Sequence, residues 1–344
     1  MTLLKRIIFA QALKYLVATI VALTLIGCEK SPKDTKEGTM NILHNQPVFE
    51  FNIKSFGVSY GALINGVYTH SQFDPEATED LTLPINHFFK SGKNKILLKV
   101  VPDDEGQPFN SSANIELTLT AREFGTNEKH TLLRLDFNGA NPPDIRKPNE
   151  EVTHLNTLAP FKPSESGEVV ISSLEVAPIE DYAGGLDIIQ HIDIPSSLPR
   201  WKFFDSDQLP HPTSFNDNDY DNALLNLSKE YEKIQIALEA KNIDNIISLF
   251  KERSDELDLA FYEKPGTTQM QLRDTLLETV SDTEMKASPI KPEHLGFGLS
   301  ENEALRELTR NGETAAIGYD YKDGGSRGFP IIFRHENGQC IITR

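Results

Sequence analysis

The chain has 344 residues, with 34 basic and 51 acidic side chains, a formal net charge of −17 and two cysteines. That balance excludes nucleic-acid binding, because affinity for a phosphate backbone comes from Lys and Arg releasing counterions. It favours solubility and makes a basic protein the expected kind of partner, while the length suits two domains that each bury a core.

Lys5 and Arg6 precede an uncharged apolar run from Tyr15 to Gly27, the length of a signal-peptide core. The run closes on Leu25-Ile26-Gly27-Cys28, which resembles the lipobox of bacterial lipoproteins. The resemblance implies that residues 1–27 are a leader cut away at the small Gly27. It also implies a diacylglyceryl group on the Cys28 thiol and a fatty acid such as palmitate on the new amino terminus. The alternative, a retained membrane helix, needs about 20 apolar residues, and Lys14 interrupts the run. Two or three acyl chains at about 0.8 kcal/mol per buried methylene hold where a single chain is marginal. The lipid bilayer is therefore an expected partner through Cys28. In lipoproteins of enteric-type bacteria an Asp after the lipidated Cys resembles an inner-membrane retention signal. Glu29 stands there instead, which implies the outer membrane, on its periplasmic face.

Residues 28–40 continue as Glu29 to Met40, a stretch without aromatic or branched aliphatic side chains. It reads as a flexible tether that spans roughly 20 Å. The leader takes Lys5, Arg6 and Lys14 with it, so the mature charge is about −20.

Residues 41–195 carry mostly period-two runs: VFEFNI, FGVSYGALI, NKILLKVV, NIELTLT, HTLLRLDF, EVVISSLEV and LDIIQHIDI. These predict an antiparallel β-sandwich. Phe49, Phe51 and Ile53 share one face of the first run, and Ile115, Leu117 and Leu119 one face of a later run. Asn65-Gly66, Ser91-Gly92 and the Pro-rich stretch 138–148 supply the turns. The segment Leu81 to Val101, LTLPINHFFKSGKNKILLKVV, resembles the strand, turn and strand of galactose-binding-like sandwiches. That resemblance implies Phe88 and Phe89 plugging one end and Gly92 at positive φ. It brings glycan among the partners to test, with no binding residue assigned.

Residues 196–221 turn to Pro, Ser, Asp and Asn and read as a linker. Trp201, Phe203 and Phe204 within it suit an interdomain plug, with a sugar-stacking platform as the alternative. From Asn222 the period becomes helical. Leu224, Leu227, Tyr231, Ile234 and Leu238 form one stripe, and Ile243, Ile246, Ile247, Phe250, Leu257 and Phe261 a second after a break at Asn242. A third helix is expected over 268–280, packed through Met270, Leu272, Leu276 and Leu277. The strands AAIGYDY, GFPIIFRHE and GQCIITR close the chain, the last two joined by Asn337-Gly338. Residues 222–344 thus read as an α+β domain. Its order of helices, then sheet and closing hairpin resembles the nuclear-transport-factor-like cone, which implies a sheet wrapped on a helix around a pocket.

Asp217, Asp219 and Asp221 have calcium-loop spacing, but Asn222 stands where that loop needs Gly and Ser228 where it needs a bidentate Glu. A cap for the following helix explains them without metal. Gly324-Gly325-Ser326-Arg327-Gly328 matches a nucleophile elbow, yet Ser326 falls in a turn between two strand patterns rather than before a helix. His191 sits on a strand pattern, and no His pair has zinc spacing with Glu. With Cys28 lipidated, Cys340 is a lone cysteine, read as a small buried hydrophobe rather than a reactive thiol.

The fold class expected is therefore α+β: an N-terminal antiparallel β-sandwich, then a smaller helices-then-sheet domain. Lipidation at Cys28 is the one site assigned, with no catalytic residue, metal or cofactor. The function expected is a non-catalytic binding or protein-interaction lipoprotein of the envelope, with an immunity-type role as an analogy. The alternative is an enzyme acting on a small apolar molecule in the C-terminal cone, where Asp258, Tyr262 and Tyr319 would serve proton abstraction. An interior filled by its own apolar side chains favours the first, and an open pocket with carboxylate and phenol converging favours the second.

Overall fold

Alternating apolar and polar residues shape the first half into two facing sheets. The computed structural model describes residues 46–143, 153–155, 169–194, 198–210, 212–214, 216–281, 285–287, 290–298, 302–310, 314–322 and 326–344. Cys28, the stretches expected to be leader and tether, and the end of the Pro-rich stretch 138–148 lie outside them.

The described residues of the first half form ten strands: β1 (Pro47–Phe56), β2 (Ser59–Ile64), β3 (Val67–Gln72), β4 (Thr78–Pro84), β5 (Gly92–Val101), β6 (Asn114–Glu123), β7 (His130–Asn138), β8 (Thr153–Leu155), β9 (Val170–Pro178) and β10 (Leu186–Ile194). One sheet runs β4-β1-β6-β7-β8 and the other β3-β2-β5-β10-β9, with antiparallel neighbours throughout. The register explains the core. Phe49, Phe51 and Ile53 oppose Ala121, Leu119 and Leu117 on the neighbouring strand. Across the gap they meet Ile96, Leu98 and Val100 of β5 and Ile188 and Ile192 of β10. Each such side chain contributes about 1.5–3 kcal/mol by leaving water, and a one-residue slip would turn the whole set outward.

β3 and β4 were not among the apolar runs. Both are edge strands, where one side needs no partner and a polar sequence guards against further pairing. A short 3-10 turn, Asn86–Phe88, closes one end of the sandwich; Phe89 is buried against Phe49, and Gly92 takes φ 81°.

The second half opens with α1 (Asp217–Glu239), which starts earlier than the stripe from Asn222 suggests because Asn216 caps it, accepting from Asp219 N at 3.0 Å. Leu227, Tyr231, Ile234 and Leu238 form its buried face. The second stripe divides at Phe250 into α2 (Ile243–Leu249), capped by Asn242, and α3 (Lys251–Ala260). The third expected helix is α4 (Thr267–Ser281), but only part of its apolar set packs: Leu276 is buried while Met270 and Leu277 face solvent.

The remaining strands are β11 (Met285–Ala287), β12 (Leu295–Phe297), β13 (Leu305–Arg310), β14 (Thr314–Ala315), β15 (Ile317–Tyr321), β16 (Ser326–Phe329), β17 (Ile332–Glu336) and β18 (Gln339–Ile342). They form a sheet β11-β15-β16 and a sheet β12-β13-β17-β18, with β14 on β13. Asn337 and Gly338, at φ 52° and 76°, turn β17 into β18 as a type I′ hairpin requires. The chain is thus α+β, with a sheet-rich first part and a helices-then-sheet second part.

The stretch between the halves is packed rather than free. Trp201 is 1% exposed, lies in the sandwich core with Phe203 and donates from Nε1 to Phe89 O at 2.6 Å. Its ring offers no face on which a sugar could stack. Asn86 donates to Ala260 O at the end of α3, and Tyr262 donates to Pro47 O at the start of β1. Glu256 on α3 accepts from Lys202 N at 2.8 Å and from the Arg344 guanidinium at 2.7 Å, while Arg344 also donates to His87 O and stacks 4.4 Å from the Phe203 ring centre.

Candidate functional site

The concave surface of interest is a groove of about 690 Å³ where α1 passes over the β17–β18 hairpin. Helical spacing turns Leu227, Glu230 and Lys233 toward one wall, with Lys229 at the rim. Phe297 from β12 and Arg306 from β13 come from the facing sheet, and His335 and Cys340 lie opposite one another on the hairpin.

Electrostatics set what this groove can do. The Cys340 Sγ lies 3.7 Å from His335 Nδ1. Burial, with Glu230 adding to it, pushes the thiol up to about 11. Burial and the nearby Arg306 hold His335 below the ordinary imidazole range, against a smaller opposing pull from Asp207. Near neutral pH this pair is therefore a thiol beside an uncharged ring, not a thiolate–imidazolium nucleophile. Beneath the groove Tyr231 donates to Ile331 O at 2.5 Å and accepts from Leu308 N at 2.9 Å, a structural cross-tie. Burial raises its phenol far above the usual range. Burial also lifts the nearby half-buried Glu307 to about 7.

The three side chains considered for proton abstraction do not converge. Asp258 is a helix cap, accepting from Gly266 N at 2.6 Å and Thr268 N at 2.7 Å. Tyr262, at φ 60°, is tied to Pro47 O and packs on Phe124. Tyr319 is buried in the second core beside Phe329. That core is filled by Tyr231, Ile246, Leu308, Ile317, Phe333 and Ile342, among others.

The remaining singled-out residues have structural places too. Asp217, Asp219 and Asp221 lie within the first turns of α1 rather than in a loop before it. Among the described residues no group of three His, Cys, Asp or Glu is placed to hold a metal ion. Ser326 begins β16, so a strand and not a helix follows it. His191 is exposed on β10, opposite Lys95. Cys340 is half-buried on an edge strand rather than fully enclosed. Cys28 lies outside the described residues.

No family model matches this chain, and no curated protein or solved structure matches it. Its functional reading therefore rests on its own residues. Two groups escaped the sequence reading: the groove cations, drawn from α1 and β13, and the junction pair Glu256–Arg344, 88 residues apart. The only signal for either was charge on otherwise structured segments, which a solvated surface produces equally well.

Proposed function

We propose that this chain is an envelope-anchored lipoprotein with a non-catalytic, periplasmic protein-interaction role, tethered through acylated Cys28 and engaging a basic partner. The observation that carries the non-catalytic part is the apolar core packed among the described residues of the helices-then-sheet half, together with Asp258 and Tyr262 serving as a cap and a cross-tie. The groove beside it holds a protonated thiol and a neutral imidazole, which supports binding over chemistry. The acidic balance of 51 against 34 supports a basic partner, since complementary charge accelerates encounter and rejects wrong partners. The lipobox at residues 25–28 supports the anchor.

The test is crosslinking in the native envelope with the full-length, tagged chain as bait. A basic protein should be enriched near one-to-one, and capture before crosslinking should fall as ionic strength rises from about 0.1 M to about 1 M, which shortens the Debye length from about 10 Å to about 3 Å. Absence of a stoichiometric partner, or capture insensitive to salt, would contradict the reading.

A further inference from the structure

We propose that the groove between α1 and the β17–β18 hairpin binds a small organic anion: one anionic head on a short apolar or aromatic body. The inference goes beyond the protein-partner reading and does not depend on it.

The charge in this groove runs against that of the chain. Three cations line it, Lys229, Lys233 and Arg306, against the single carboxylate of Glu230. Glu230 is already engaged by Lys233 at 2.6 Å. Among the described residues Lys229 reaches the Asn226 Oδ1, at 3.4 Å. Arg306 is 5% exposed and donates to the carbonyl oxygens of Glu303, Leu305, Leu209 and Pro210 at 2.7–3.2 Å. Those carbonyls fix the guanidinium through both terminal nitrogens, but they carry no formal charge. Among the described residues no carboxylate forms an ion pair with Arg306 or Lys229. A cation held this way between low-dielectric walls projects its field into the groove.

The groove also supplies an apolar wall. Leu227 lies on α1, and Phe297 is held edge-on by Tyr220 with ring centres 5.2 Å apart. The volume, about 690 Å³, falls within the ~300–1,000 Å³ of small-molecule sites. Opposing charge defines the upper limit of ligand charge. Asp207 faces His335 from beyond the hairpin, where it accepts from Asn337 N at 2.8 Å. Exposed Glu232 and Glu239 lie along α1 outside the groove. Glu230 lines the groove itself and Glu303 acts on Arg306, so one negative charge gains from Lys229 and Arg306 while each further one meets these carboxylates as well. An organic cation would face Lys229 and Arg306, with the only lining carboxylate, Glu230, already paired to Lys233.

The experiment uses the full chain in a zwitterionic detergent, with phenylacetate, phenylacetamide and phenethylamine as probes read by saturation-transfer NMR and titration calorimetry. Phenylacetate should bind saturably, and the neutral amide and the amine at least about tenfold more weakly. Lys229→Glu, an exposed change that leaves the Arg306 contacts intact, should weaken phenylacetate by about threefold or more, and Lys229→Arg should not. Saturating phenylacetate should also slow alkylation of Cys340 in the groove wall. The proposal is overturned if the folded protein shows no saturable phenylacetate binding or if amide and acid bind equally. It is overturned as well if Lys229→Glu leaves affinity unchanged, or if Cys340 alkylation does not respond to the acid. The crosslinking result bears on none of these readouts, so this proposal and the partner reading can fail separately.

Discussion

Replacing Asn86 with Ala removes one of the side chains that join the sandwich to the helices. Asn86 is 0% exposed; its Oδ1 accepts from Phe49 N at 2.6 Å, and its Nδ2 donates to Pro47 O at 2.7 Å and Ala260 O at 2.8 Å. Pro47 O retains a second donor in the Tyr262 hydroxyl at 3.0 Å. Alanine therefore deprives two buried groups, the Phe49 N–H and the Ala260 carbonyl, of the partner Asn86 supplies. At about 1–3 kcal/mol for each of the two groups, the expected loss is about 2–6 kcal/mol. Asn86→Asp keeps the acceptor, forfeits both donors and sets a charge beside two carbonyls, so it should be worse at neutral pH. Trp201, the only Trp of the chain, is buried beside this junction and reports on it. Urea unfolding followed by its fluorescence should show a lower midpoint at unchanged slope. A loss below about 1 kcal/mol would refute the claim that these hydrogen bonds are made and buried together.

Other consequences follow from the same contacts. Glu256→Gln, which leaves the nearly buried Arg344 cation without its counter-charge, should cost about 3–5 kcal/mol in urea unfolding. Glu256→Met with Arg344→Met should cost less than the sum of the two single changes; additivity would show that the pair does not interact. Burial raises Glu307 in the fold to about 7, so between the ordinary carboxylate range and about 7 the folded state binds more protons than the unfolded. Stability should then decline as pH rises through that window, and Glu307→Gln should flatten the decline and stabilise the protein at pH ~8 relative to pH ~4. An unchanged pH profile would show that Glu307 is not held in a dry site. With its thiol pushed up to about 11, Cys340 should carry about a hundredfold less thiolate at pH ~8 than a free thiol. Its alkylation should be correspondingly slow and accelerate above pH ~9; a rate equal to that of a peptide thiol would contradict the burial.

The sandwich was legible because its signal is local. Phe49, Phe51 and Ile53 alternate with the polar Glu50, Asn52 and Lys54, and that face goes into the sandwich core. The closing hairpin was legible for a similar reason, since Asn337-Gly338 accepts positive φ at both positions. β3 was missed because an edge strand needs no apolar alternation, whereas Leu81 to Pro84 of β4 was read as the first strand of the segment Leu81 to Val101, and only its start at Thr78 depends on the ladder with β1. The start of α1 was misplaced because acids at 217–221 read as a loop, whereas Asn216 had already supplied the cap. Met270 and Leu277 keep helical spacing yet face solvent, which shows that periodicity finds a helix without fixing how far its partners extend. The groove was illegible on physical grounds: Lys229 and Arg306 come together only after α1 lies across the β13–β17 ladder, and neither residue carries a local mark of that encounter.

The proposal that this acidic body works at the envelope stands on Cys28, and its mass decides it. Chain purified from its native membranes, digested and analysed by mass spectrometry should begin at Cys28, with a diacylglyceryl thioether on sulfur and an acyl chain on the amino group. A free Cys28 thiol with residues 1–27 still attached would contradict the account and remove the tether on which the proposed role depends.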